Sequence, residues 1–230
     1  ILDGIDKEKY QSEESELLFL IGGNLGVLSG DFEQAKEWVD KSFEFSKEKG
    51  FKNDELRASR KVAELLCAEG KSAEAIDFMK EYVSADTQIH SRYQLYQLIV
   101  LGECYRQNGN NNLAEECYEK GVLYAKKLSN KSWEAHAYLG LSLMSAHDNK
   151  SKALQLVEDA EAIYKSSNHI WGILMSEVVR NYCLNIHDEV DFKKLEEVRK
   201  KANENNYRYI ETMAAELTED EEVDVKLLFL

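Results

Sequence analysis

Gly30-Asp31-Phe32-Glu33-Gln34-Ala35 recurs as Gly70-Lys71-Ser72-Ala73-Glu74-Ala75, and again as Gly109-Asn110-Asn111-Asn112-Leu113-Ala114. A looser copy runs from His147-Asp148 to Ala153, and a last one from His187-Asp188 to Leu195. The small or apolar residue after each turn falls at 35, 75, 114, 153 and 195, at intervals of 40, 39, 39 and 42. A fixed period of this length is the mark of a repeat array. Each turn lies between two helical patterns. In the third unit Leu98, Leu101, Gly102 and Tyr105 share a helical face before the turn. Ala114, Cys117, Tyr118, Gly121 and Tyr124 share one after it, at spacings of three and four.

Working outward from these turns, the pattern predicts first helices over roughly 13–29, 54–69, 91–108, 131–147 and 169–187. Second helices are predicted over roughly 32–49, 72–84, 112–128, 151–166 and 191–205, with a half-unit from Tyr207. A helix pair cannot bury its apolar face alone, so the pairs stack on one another into an all-α solenoid. The expected organisation is a single helical-repeat domain over 1–230. Its units are 13–50, 54–86, 91–129, 131–167 and 169–206, with a half-unit and acidic tail over 207–230.

Composition agrees. There is no proline in 230 residues, where an average chain would carry roughly a dozen. Proline favours turns and edge strands, so its absence argues for long helices and against sandwiches and barrels. The net charge is -14, from 29 basic and 43 acidic residues. Residues 1–50 carry 6 basic and 12 acidic, and 201–230 carry 3 and 8, so the ends are acidic and the centre is nearly balanced. Phosphate recognition depends on clustered Lys and Arg, so neither nucleic acid nor an anionic membrane surface is an expected partner. No apolar run reaches the roughly 18 residues of a membrane span. The chain begins at Ile1 and ends on Leu227-Leu228-Phe229-Leu230. An apolar end of that kind packs against something, and the expectation is a piece excised from a longer protein.

The third unit carries Leu101-Gly102, Tyr105, Gly109, Ala114 and Tyr118, and the fourth keeps Leu139-Gly140 and Ala160. In these residues the chain resembles the tetratricopeptide repeat family over roughly 13–205. It departs from the family in its period near 40 rather than 34 and in lacking the proline that closes the second helix. Its fifth unit has Arg180 and Leu195 where small residues belong. The longer period resembles the variants in kinesin light chains and in bacterial regulators of the maltose-activator type. The resemblance implies a right-handed superhelix of about five helix pairs plus a terminal helix, whose first helices line a concave groove.

Aligned to the turns, the groove positions implied by the resemblance are Asn24, Arg57, Arg60, Glu64, Tyr96, Glu103, Arg106, Gln107, Glu134, Glu177 and Asn181. Arg57 and Arg60 lie on one first helix and Arg106 on the next, so three guanidinium groups are expected to converge and to favour a partner with carboxylate or acidic groups. The chain's own acidic segment at 219–224 is a second candidate for that surface. The clamp by which tetratricopeptide co-chaperones hold a terminal carboxylate would need basic residues near Leu20 and Tyr96 and asparagine at Lys61, and only Asn24 fits.

Chemistry is sparse. Gly22-Gly23-Asn24-Leu25-Gly26 lacks the preceding strand of a nucleotide fingerprint, and Gly22, Gly26 and Gly30 read as one face of close helix packing. Cys67, Cys104, Cys117 and Cys183 form no CxxC and lie in apolar helical runs, which suits buried small hydrophobes in a reducing compartment. His90, His136, His147, His169 and His187 have no ligand spacing. No catalytic residue, metal or cofactor is expected. The expected function is a protein- or peptide-binding module of a larger cytoplasmic, bacterial regulator. The alternative is a sensor whose groove takes a signalling peptide or small molecule and switches an attached domain, with Asn24 and Asn181 holding the ligand.

Overall fold

The computed structural model describes residues 24–83, 91–219, 223 and 225–228, and among these the only regular secondary structure is helical. The helices are α1 Asn24–Ser29, α2 Phe32–Lys49, α3 Lys52–Ala68, α4 Ser72–Met79, α5 Arg92–Gln107 and α6 Asn111–Lys127. They continue as α7 Lys131–Ser145, α8 Lys150–Ser166, α9 Ile170–Asn185, α10 Phe192–Glu204 and α11 Arg208–Glu219. The expected start of the first helix, at 13, lies outside the described residues. α4 stops short of its expected end at 84, where the chain leaves the helix through turns closed by Tyr82 N–H to Met79 O and Val83 N–H to Met79 O.

The repeat signature has a backbone cause. Gly30, Gly70 and Gly109 close the first helices of three units with φ of 74°, 78° and 75°, the left-handed conformation that glycine adopts without a Cβ penalty. Gly30 is thus a turn residue, not a member of a helical packing face as expected. Asp188 takes the same conformation at the fifth turn, and Ser129, Asn168 and Asn206 take it between units. The next helix then starts from a polar cap. Asp31, Ser91, Asn130, Asn149 and Asp191 each accept the N–H three residues on, at 3.0–3.3 Å. His169 accepts from Gly172 N–H at 3.0 Å in the same way. Such caps satisfy N–H groups that have no partner within the helix.

Ala35, Ala75, Ala114, Ala153 and Leu195, the periodic residues after the turns, are all fully buried. A Cβ on Gly26 would lie 2.1 Å from Ala35 Cβ, and close approach recurs around Tyr118. A Cβ on Gly140 would lie 2.3 Å from its ring, and one on Gly102 would lie 3.2 Å from the ring and 3.0 Å from Cys117 Cβ.

First helices form an inner layer. α5 buries ten of its sixteen residues and α7 eleven of fifteen, whereas α6 and α8 each bury five of seventeen along a single stripe. Consistently, α3 touches α5, α5 touches α7 and α7 touches α9. The array also bends back on itself. α11 packs against both α9 and α1. Phe32 at the start of α2 meets Tyr209 of α11 edge-on at 5.7 Å, and Trp171 of α9 stacks on the same Tyr209 at 6.2 Å.

Candidate functional site

The inner layer carries the charges that the sequence singled out, and most of them are spoken for. Glu103 is 2% exposed. Its carboxylate accepts from Arg106 Nε and Nη2 at 2.9 Å each, from Gln107 Nε2 at 2.8 Å and from the Tyr118 hydroxyl at 2.7 Å. Burial pushes this carboxyl up. The Arg106 guanidinium and the hydrogen bonds from Arg106, Gln107 and Tyr118 outweigh it and hold the group below the usual carboxylate range. Tyr118 comes from a second helix and was not among the expected site residues. Its own hydroxyl is pushed well up by burial and by Glu103.

On α3, Glu64 takes Lys61 Nζ at 2.6 Å and Arg60 Nη1 at 3.3 Å. Lys61 is fully buried, and burial lowers its pKa to about 8 against the pull of Glu64. Arg60 lies over the rings of Trp133 and Tyr96, at 5.1 and 5.6 Å. Those two rings stack on each other at 4.3 Å, and Asn130 Nδ2 donates to the Tyr96 hydroxyl at 2.9 Å. The stack continues to His136, 5.0 Å from Trp133, which meets Tyr164 edge-on at 5.6 Å. His136 Nδ1 is 2.6 Å from Ser132 O and 2.7 Å from the Tyr164 hydroxyl. Burial lowers its pKa to about 3.

The remaining expected positions do not join one groove. Glu134 is buried toward the preceding second helix, with Lys131 at 2.7 Å, Lys126 at 4.0 Å and the Tyr138 hydroxyl at 3.3 Å. Glu177 pairs with Arg180 at 3.5 Å and Lys194 of α10 at 3.9 Å, and burial raises its pKa. Asn181 is 1% exposed. It donates to Glu177 O and accepts from Asp191 N–H, both at 3.0 Å, so its amide builds the turn into α10. Asn24 is half-buried at the start of α1. Each arginine of the expected cluster has a carboxylate beside it, Glu64 being shared with Lys61. Arg57 pairs with Asp54 at 3.6 Å, Arg60 with Glu64, and Arg106 with Glu103 at 2.9 Å. Residues 220–222 and 224 of the acidic run lie outside the described residues.

What does lie across the inner layer is the chain's own end. Arg106 Nη2 donates to the Val225 carbonyl at 2.7 Å, and the Leu227 N–H donates to Glu103 Oε1 at 3.0 Å. The Tyr209 hydroxyl donates to the Lys226 carbonyl at 2.7 Å, and Lys226 Nζ donates to Ala68 O at the end of α3, at 3.1 Å. Val225, Leu227 and Leu228 are buried, as expected of an apolar end that packs. In an extended chain the carbonyl of one residue and the N–H two residues on leave the same edge, and the carbonyl between them leaves the other. Here α5 reads the first edge and α11 the second. The sequence could have shown this through Glu103 and Arg106, one helical turn apart and able to pair. The main-chain partner had no sequence signal.

All four cysteines are free and buried. Cys67 and Cys104, 37 residues apart on neighbouring inner helices, bring their sulfurs to 3.0 Å. The hydrogen bond from Cys67, then burial, push the Cys104 thiol well up, so it is a poor thiolate. Among the described residues, no three His, Cys, Asp or Glu side chains are grouped to hold a metal. No described helix is long and apolar enough to cross a membrane.

Comparisons with known proteins bear on the fold. A search of curated proteins gives no match. Residues 98–127, the α5–α6 pair, match the family model described as tetratricopeptide repeat. A crystal structure of a substituted form of nearly identical tetratricopeptide-like repeats, described as those of a kinesin light chain of Podosopora anserina, is similar with a TM-score of 0.50. It has 16% identity, with 94% of this chain and 100% of that one covered. The structure of those repeats without the substitution gives 0.49 at the same identity and coverage. Residues 98–127 thus match the tetratricopeptide repeat model, and the chain around them has the fold of a tetratricopeptide-like solenoid.

Proposed function

We propose that this solenoid is a protein-binding module whose inner layer takes an extended segment of a partner, in the cytoplasm and as the sensing or assembly part of a larger bacterial regulator. The observation that supports it is the seating of Val225–Leu228, held by main-chain hydrogen bonds to Glu103, Arg106 and Tyr209. A surface that holds one extended segment by its backbone is chemically suited to hold another. Tetratricopeptide repeats as a family serve as protein-interaction scaffolds, which agrees with the match over residues 98–127. The four free, buried thiols are compatible with a reducing compartment. The partner feature in this reading is main chain with apolar side chains, because each arginine of the expected cluster already has a carboxylate. The reading of the groove as a small-molecule sensor draws no support from Asn181, whose amide is engaged within the fold.

Capture of partners from host lysate tests the reading when two variants are compared. In chain carrying Leu227→Asp, whose own segment no longer seats, Arg106→Ala should reduce recovery of a partner by 10-fold or more, whereas Leu123→Glu, at an exposed position on the outer helix α6, should leave it unchanged. Equal recovery by both variants would place recognition elsewhere.

A further inference from the structure

Beyond binding as such, and resting on that reading, the seated segment carries information about what is bound and how binding is controlled. Its register is apolar, long and polar, apolar, apolar: Val225-Lys226-Leu227-Leu228. The apolar members are buried at 0%, 2% and 2%, while the Lys226 stem remains half-buried and its ammonium reaches the end of α3. Specificity is divided. The Glu103–Arg106 pair offers one acceptor and one donor at the spacing of alternate residues in an extended chain, and it reads any sequence that can present them. The buried apolar positions select which sequences fit.

We infer that the partner segment is an extended stretch of this same register, and that the chain's own residues 225–228 occupy its place as a built-in competitor. The competitor joins α11 through the short stretch 220–224. Tethering of this kind gives an effective concentration on the order of millimolar. A competitor whose untethered Kd is about 10–100 μM would then hold a partner off by roughly 100- to 10-fold. Partner binding is consequently weak while the end is seated and strengthens when the end is drawn away, by a second contact or by an attached region of the protein.

The test separates a competitor from a fixed part of the fold. A protease site replaces residues 220–222, and the folded chain is cut so that 223–230 is held only by non-covalent contacts. A fluorescent peptide with the sequence of 223–230 is then added and followed by anisotropy. The cut chain should exchange its end for the peptide and bind it at least 10-fold more tightly than the uncut chain does. A peptide N-methylated at the nitrogen of Leu227 should bind at least 10-fold more weakly, and so should a scrambled peptide. An end that refuses exchange until the helices melt, or equal peptide affinity for cut and uncut chains, overturns the inference. A second variant covers loss of folding on cleavage. Uncut chain carrying Leu227→Asp should keep its helicity and bind the peptide at least 10-fold more tightly than wild type, and unchanged affinity overturns the inference. Lysate capture uses no peptide, so peptide exchange with no effect of Arg106→Ala on partner recovery would remove the inner layer as the partner surface while leaving the exchangeable end in place.

Discussion

Glu103 shows how a buried charge is kept. Its two oxygens receive donors from Arg106, Gln107, Tyr118 and the Leu227 main chain, so the desolvation cost is met by hydrogen bonds to an ionised group, each worth about 1.5–3 kcal/mol. Tyr118→Phe removes one donor and leaves the packing. It should lower unfolding free energy by about 1–3 kcal/mol in urea titration. His136 gives a pH signature. Its folded pKa, about 3, lies below the ordinary 6.5. Between those values the unfolded chain takes up a proton that the native one refuses, so stability falls as pH falls. Glu103, held below 4.5 when folded, adds to the fall below that pH in the same direction. From pH 6.5 to 4.5 the slope due to His136 should approach about 1.4 kcal/mol per pH unit. Denaturation midpoints of wild type and His136→Phe across that range check this, the variant showing the shallower slope.

Elements were the most legible scale. Gly30, Gly70 and Gly109 are visible in sequence because a left-handed reversal prefers glycine. Asp188 performs the same reversal at the fifth turn at a conformational cost, which is why the fifth copy looked loose. Ala35, Ala75, Ala114 and Ala153 carry an equally local signal, since a helix pair in close contact admits only a small side chain. What the sequence did not disclose is direction around the superhelix. A shift of one residue turns a side chain by about 100°. That is enough to send Glu134 toward α6 and Asn181 toward the α10 turn rather than into a shared groove. Contacts between distant segments, such as Cys67 with Cys104 or Arg106 with Val225, depend on accumulated rotation over many residues and leave no local trace. Packing at Tyr118 ranks two substitutions. Gly140→Ala, with its Cβ 2.3 Å from the ring, should cost more than Gly102→Ala, at 3.2 Å. Overpacking of this kind costs about 1–3 kcal/mol. Thermal melts should show the order, and a reversed order would remove the assignment of Tyr118 as the tighter neighbour of α7.

At the scale of the molecule, an ordinary repeat array behaves as a chain of nearest neighbours, fraying from its ends. This one joins distant parts through Phe32, Tyr209 and Trp171. Tyr209→Ala should cost about 3–5 kcal/mol, as for other large buried aromatics. It should also speed amide exchange in α2 as well as α11, though the two lie far apart in sequence. Exchange accelerated in α11 alone would mean that the two ends fold independently. The closure has a consequence for how such a chain can change in length. An open array can gain or lose a unit and keep every neighbour contact. Here each helix pair contributes one step of rotation to a circuit that meets itself, so the number of steps between α1 and α11 is a structural constant. Duplicating the α5–α6 pair would leave each unit well packed and yet part Phe32 from Tyr209. Point substitution inside the units, rather than insertion between them, is the route by which this architecture can vary.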